Sequence, residues 1–249
     1  MTNFNKSQSI PSIKDKESAL CLSKASWEMQ NQRIILSEIS HQTDSIIYFQ
    51  DLILQLESQI DVSLNFFCSS SLVTKWAISN VGIGPVIATR LMSYVDINKS
   101  RTPEHLWSYA GLIPQQLNKP KNTYNNNLKE VCIQIGKNFV KYSSKDKCFY
   151  GKLYIEDRQR RIDLNENNEY SDLAQETLLN FNLKDKNLLK DKPIYESGKL
   201  PQERINAQAQ RYAVKIFLAH WHAVAYYESF NVQYESHHKN IVPVYNPPY

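Results

Sequence analysis

Hydrophobic positions along the 249-residue chain recur at three- and four-residue spacing and show no alternation with polar ones. That pattern predicts helices and no strands, an all-α protein. Residues 17–67 read as helix almost without breakers: no glycine precedes Gly82, and the only early proline is Pro11. From Ile39 a seam runs through Gln42, Ile46, Phe49, Ile53, Leu56 and Ile60 in steps of three and four, the heptad spacing of a coiled coil. Gln42 is its polar member, a residue type that can set register. The seam fits pairing with a second copy, Ile39, Ile46, Phe49, Ile53, Leu56 and Ile60 being the dimerising side chains. It equally fits antiparallel packing on another helix of the same chain. Ser69, Ser70 and Ser71 mark a boundary. The expected organisation is a disordered leader over 1–16, a coiled-coil-like region over 17–70, a helical domain over 71–232 and an extended tail over 233–249.

Residues 72–95 read as a helical hairpin around Asn80-Val81-Gly82-Ile83-Gly84-Pro85. Glycines one residue apart allow unusual dihedrals and close backbone approach to an anion, and Pro85 suits a first helical turn. The turn lacks the third glycine of a dinucleotide fold and the Gly-Lys-Ser/Thr of a P-loop. Further on, Thr102-Pro103-Glu104 starts a short helix that stops near Gly111 and Pro114. A polar loop carrying Lys119 and Lys121 follows. Asn127 is placed to cap a helix over 128–142 with the stripe Val131, Ile135 and Phe139. Residues 145–162 predict a helix ending in Arg158, Arg160 and Arg161. Residues 163–200 predict a short helix with mobile connections. The last long helix, from Pro201 to Phe230, carries Tyr212, Ile216, Ala219, Ala223 and Tyr226 at helical spacing.

Charge sharpens this picture. The net charge is +4, but residues 1–70 hold 5 basic against 8 acidic side chains and residues 163–249 hold 9 against 11. Residues 71–162 hold 15 against 6. All the excess sits in the segment that opens with the glycine turn, which points to a phosphate-binding surface. Cys21, Cys68, Cys132 and Cys148 are too far apart for a zinc knuckle and fit a reducing cytoplasm. No membrane-spanning run or secretory leader is expected.

Catalytic and metal readings are weak. His220 and His222 are two residues apart on a helix, so one buried and one surface histidine is the expectation, with no shared ion. His237 and His238 have no acidic or cysteine partner nearby. Asp146, Glu156, Asp157, Asp163 and Glu166 read as neutralising charges on a polar surface rather than a two-metal cluster. No cofactor is expected. Aromatic residues interleave with lysines: Trp107, Tyr109, Tyr124, Phe139, Tyr142, Phe149, Tyr150 and Tyr154 accompany Lys137, Lys141, Lys145, Lys147 and Lys152. Rings that stack on bases beside cations that neutralise phosphates suit single-stranded or irregular RNA. Trp107, Phe139 and Tyr150 are equally the residues expected in a core.

Three blocks carry a family resemblance: NVGIGPVIATRLMSYVDINKSRTPEHLWSYAGLIPQ, YNNNLKEVCIQIGKNFVKYSSKDKCFYGKLYIEDRQRR and AQRYAVKIFLAHWHAVAYYE. In order across residues 80–228, they resemble the C-terminal domain of bridge-RNA-guided insertion-sequence transposases. The first 70 residues contain nothing like the RuvC-like nuclease domain of those enzymes. With FYGKLY and the terminal Pro-Pro-Tyr, the chain resembles more closely the nuclease-free Tas proteins of tandem interspaced guide RNA systems. These are relatives of the Nop domains of box C/D ribonucleoproteins. The resemblance implies a Nop-like domain containing a helix–hairpin–helix, a guide RNA and a target DNA as partners, a homodimer, a cytoplasmic place in a prokaryote or phage-infected cell, and a nuclease, if any, encoded separately. It implies no nuclease activity in the chain itself. The candidate nucleic-acid contacts are Gly82, Ile83, Gly84, Arg90, Lys99, Arg101, Lys119, Lys121, Lys129, Lys137, Lys141, Lys145, Lys147, Lys152, Arg158, Arg160 and Arg161. The competing expectations are a transposase-family protein whose catalytic domain is absent or supplied in trans, and a coiled-coil structural protein with an incidental basic face.

Overall fold

A computed structural model describes residues 12–113, 124–179 and 186–232. Among them are ten helices and no strand, the all-α class that the spacing predicts. They fall into two compact units. One comprises the described residues up to Val131 together with those from His220 onward; the other is Cys132–Ala219. The expected boundary at residue 70 lies inside the first unit. The leader to residue 11, residues 114–123 and the tail from 233 lie outside the described residues.

In the first unit the helix expected over 17–67 is two helices, α1 (Lys16–Ser37) and α2 (Asp44–Cys68), packed on each other. The polar run between them ends one helix and starts the next. The Glu38 N–H closes α1 on the carbonyls of Ile34 and Ile35. The Gln42 side-chain amide donates to the carbonyls of Leu36 (3.1 Å) and Ile39 (2.7 Å), and Thr43 Oγ1 accepts from the Ile46 N–H. Gln42 therefore satisfies a turn instead of setting register, and Ile39 lies in that turn outside the helical seam. Arg33 of α1 and Glu57 of α2 form a forked ion pair, with Nε to Oε1 and Nη2 to Oε2 both 3.1 Å. Glu57 shares its face with Ile46, Ile53 and Ile60, which are half-buried, and with fully buried Leu64. The antiparallel alternative within one chain thus accounts for Ile46, Ile53 and Ile60. Phe49 and Leu56 stay exposed.

Helix α1 presents buried Ala19, Ser23 and Ser26, small side chains that admit a close neighbour, and it packs on α4 (Pro85–Tyr94) as well as on α2. Between them α3 (Leu72–Ile78) is capped from a distance. The Glu228 carboxylate, near the end of α10 (Gln202–Phe230), accepts the N–H groups of Leu72 (2.7 Å) and Val73 (3.1 Å) and the Ser71 hydroxyl (2.9 Å). Helix α5 (Pro103–Tyr109) starts as expected, Thr102 Oγ1 accepting from the His105 N–H, and Gly111 just beyond it has φ +66°.

His220 and His222 on α10 are both buried, which corrects the expectation of one at the surface. Trp221, Val224 and Ala225 around them are buried too, so this stretch is enclosed on most sides. His222 Nε2 lies 2.7 Å from the Ser100 carbonyl oxygen. Burial holds its pKa below the usual 6.5, the Ser100 bond and Glu104 opposing that shift and His105 adding to it. The unfolded chain therefore takes up a proton near pH 6.5 that the folded chain resists. This contribution to stability is intact above that pH and falls as pH drops toward the depressed folded value. Urea unfolding at pH 7.5 and 5.5 is expected to show a smaller loss of stability for His222→Gln than for the parent chain; equal losses would place the acid sensitivity elsewhere.

The second unit contains most of α6 (Asn126–Lys141), α7 (Phe149–Glu166), α8 (Ser171–Leu179), α9 (Lys186–Glu196) and the first part of α10. Helix α6 begins one residue before the expected cap. Asn125, not Asn127, accepts from the Leu128 N–H (3.0 Å). The expected stripe Val131, Ile135 and Phe139 is buried. Phe139 stacks on Tyr150 (5.0 Å between centroids), and Phe217 meets both edge-on. Phe139 and Tyr150 are core residues, with no face left for a base. Helix α7 starts at Phe149, four residues later than the spacing implied, because residues 142–147 turn back through bonds such as Lys145 N–H to Tyr142 O (3.0 Å). A second apolar cluster joins Ala174, Tyr195, Leu200 and Ile205. The single short helix expected over 163–200 is α8 and α9.

Gly151 lets α7 lie directly against that turn. A Cβ there would come within 2.7 Å of the Ser143 Cα, 2.8 Å of Cys148 Sγ and 2.9 Å of the Phe139 carbonyl oxygen. Two of those atoms belong to backbone that cannot swing aside. Gly151→Ala is expected to lower stability by about 1–3 kcal/mol, the usual cost of overpacking. The measurement is the urea midpoint; an unchanged value would show that the turn moves freely.

Candidate nucleic-acid interface

The glycine run makes a tight turn ahead of α4. The Asn80 carbonyl accepts the Ile83 N–H (3.1 Å), and Gly82 supplies φ +96° at the third position of that turn. Ile83 is buried and its N–H is spent inside the turn, so it is withdrawn as a phosphate contact. Gly84 is extended, with φ −94°, and forms the N-cap of α4; Pro85 follows at the first helical position, and no side chain caps the helix. A Cβ on Gly84 would meet nothing within 4 Å. Of the three residues expected to contact phosphate, Ile83 alone is withdrawn on this geometry.

Arg90 is the clearest correction among the basic candidates. It is 3% exposed, its guanidinium lies 4.4 Å from the Trp27 ring centroid, and Nη2 pairs with Glu130 at 3.1 Å. It fastens α4 to α1 and to the start of α6 by cation–π contact and an ion pair, and has no face for a phosphate. Lys99 is exposed and lies 3.5 Å from Asp96. Arg101 is exposed. Lys129 is half-buried, 4.4 Å from the Tyr124 ring centroid. Lys119 and Lys121 lie outside the described residues.

The second unit concentrates the accessible charge. Lys137 and Lys141 are one turn apart on α6, Lys145 and Lys147 lie in the turn that follows, and Lys152 is in the first turn of α7; all five are exposed. Among the described residues none of the five forms an ion pair, although Asp146 sits between two of them in sequence. The ammonium groups of Lys141 and Lys145 lie 5.5 and 4.6 Å from the centroid of one ring, Tyr142. Two like charges gathered on one ring repel each other until an anion joins them.

Beyond the lysines, Asp157 is an acid the sequence had placed on the surface; it is buried and binds both Arg160 and Arg161. A buried carboxylate held by two guanidiniums organises α7. Arg158 donates to Asn206 Oδ1 (2.7 Å). Arg161 also donates through Nη1 to Gln208 Oε1 (3.0 Å), which brings it against α10. Of these three, Arg160 is exposed, and Arg158 and Arg161 are half-buried and engaged. Sequence reasoning passed over Arg204 and Arg211. They lie on the same face of α10 as Gln208, at positions i, i+4 and i+7, a spacing that would have marked them. Arg204 donates through Nη1 to Thr177 Oγ1 (2.7 Å).

Among the described residues no group of three or more His, Cys, Asp and Glu side chains is placed to hold a metal ion. Burial raises the thiol pKa of Cys68 and Cys148, and that of Cys132 to about 12, so none of the three is a nucleophile near neutral pH. No described helix is long and apolar enough to cross a membrane. Comparisons with family models, curated proteins and solved structures find no match to this chain.

Proposed function

We propose that this protein binds RNA through the second unit, holding the backbone without cutting it. The observation that carries the reading is the set of five exposed, unpaired lysines, two of them gathered on Tyr142. Lysines without carboxylate partners neutralise phosphates at little cost in broken ion pairs. The resemblance to Tas proteins supplies the rest: the RNA is a guide, base pairing selects a DNA target, and the protein reads backbone and shape in a Nop-like manner. In this reading the work takes place in the cytoplasm, and any cleavage belongs to a separate nuclease.

The reading includes a homodimer built by α1 and α2, with a different seam from the one the heptads predict. Tyr48, Phe49 and Phe66 are each more than half exposed, and Leu52 and Leu56 about two-fifths. On one face of α2 these five present roughly 500 Å² of mainly apolar surface, taking ~200 Å² for a full side chain of this size. A patch of that size stands toward the upper end of the ~300–600 Å² that an ordinary monomer exposes, where such patches are often functional. No Lys or Arg occurs between residues 34 and 74, whereas Glu38, Asp44 and Asp51 do. An acidic hairpin is repelled by anionic lipid and by nucleic acid, and its apolar row on α2 fits the same row of a second copy once salt screens the acids.

Fluorescence anisotropy of a labelled single-stranded RNA across a salt series tests the RNA-binding reading. Affinity is expected to fall linearly with the logarithm of salt concentration, at ~0.7 for each phosphate engaged. Absence of binding at low salt would favour a structural coiled-coil protein. Magnesium-dependent cutting or joining of DNA would favour the transposase-family alternative.

A further inference from the structure

We infer that Arg161, Arg204 and Arg211, arranged around Gln208, form a built seat for one phosphate group, separate from the lysine surface. The inference takes the source of the phosphate, a polynucleotide chain, from the reading above; its chemistry stands without that reading. Helix α10 places Arg204, Gln208 and Arg211 on one face, and the Gln208 side chain holds Arg161 of α7 against it at 3.0 Å. Arg204 is fixed from the other side, its Nη1 bonded to Thr177 Oγ1 and its guanidinium 5.7 Å from the Tyr195 ring centroid. Two of the three guanidiniums are therefore held in position before any ligand arrives.

Arg211 is the exposed member, and among the described residues no carboxylate pairs with it. Asp157, the carboxylate that holds Arg161, is already shared by Arg160 and Arg161. Partial desolvation of the Arg211 guanidinium, and after it the charges of Arg161 and Arg204, weaken its hold on its proton, although the side chain reaches solvent. Guanidinium forks match the oxygens of a phosphate two at a time, which a lysine ammonium does not. Two kinds of cation thus stand apart in this unit: exposed lysines that attract a chain, and arginines, two of them held by neighbours, that hold one of its phosphates.

The test uses Arg211→Lys and Arg211→Gln in the full-length protein, since Arg211 is exposed and its replacement leaves the core intact. In the first arm inorganic phosphate replaces chloride at constant ionic strength, and the melting temperature is followed. A phosphate-specific rise is expected for the parent chain and neither variant. No such rise in the parent, or an equal rise in Arg211→Lys, overturns the seat. In the second arm, 5′-phosphorylated and 5′-hydroxyl RNA of one sequence are compared. Arg211→Lys is expected to weaken binding at least tenfold. A preference for the phosphorylated end that Arg211→Lys abolishes identifies a terminal monoester; an equal loss for both RNAs identifies an internal diester. Full affinity in Arg211→Lys overturns the seat as a contact to RNA. A phosphate-specific rise without any RNA binding keeps the seat and refutes the RNA-binding reading.

Discussion

Replacing Lys137, Lys141, Lys145 and Lys152 together with Glu is expected to strip RNA from the purified protein while leaving its helix content unchanged. All four side chains are exposed and unpaired, so their removal breaks no ion pair and opens no cavity. The effect on binding is large because each substitution removes a cation and adds an anion. At about 1 kcal/mol for each lost contact, affinity falls on the order of a thousandfold. The salt slope falls by roughly three as well, since each phosphate released from a single strand contributes ~0.7. The absorbance ratio of the purified protein and circular dichroism together decide the matter. Loss of RNA with intact helicity supports the surface; retained RNA removes it. Arg161 is left out of the set because it holds Asp157, and its loss would confound binding with folding.

The second large effect concerns α2. Tyr48→Glu with Leu52→Glu is expected to convert a dimer into a monomer of 29.0 kDa by light scattering, with no loss of RNA binding by the monomer. Both side chains point away from the face that carries Glu57, so α1 and α2 stay packed. Ile53→Glu, on the packed face, is expected to unfold the hairpin instead. Salt separates the two associations further. Screening the acidic Glu38, Asp44 and Asp51 strengthens the dimer, whereas the same salt weakens RNA binding. A parent chain that is monomeric at micromolar concentration would refute the α2 seam.

The sequence revealed the helical class, the Thr102 cap, the Val131–Ile135–Phe139 stripe and the position of α10, because each follows from local spacing or capping. It did not reveal the break at residues 38–43. Nothing there is a glycine or proline; Gln42 and Thr43 end and restart the helix through side-chain bonds that spacing does not report. Of the heptad seam, Ile46, Ile53 and Ile60 face α1, Ile39 and Gln42 lie in the turn, and Phe49 and Leu56 belong to an outward row with Tyr48, Leu52 and Phe66 that stands out only once the inner face is known. At the candidate site the lysines of the second unit were legible as charge. Arg90 was misread for the same reason, since a count of charges does not distinguish an exposed lysine from an arginine stacked on Trp27. Asp157, judged a surface acid, became the anchor of two arginines because the apolar positions around it on α7 turn that face inward. Arg204 and Arg211 fell outside the basic block and gain meaning only from the neighbours that folding gives them.

We propose that this protein holds a defined RNA. The most direct measurement is to isolate it from the cells that encode it and sequence the RNA that accompanies it. A small set of discrete RNA species is expected, enriched far above their share of the lysate and absent from the quadruple lysine variant. Protein free of RNA, or RNA distributed as in the lysate, would contradict it.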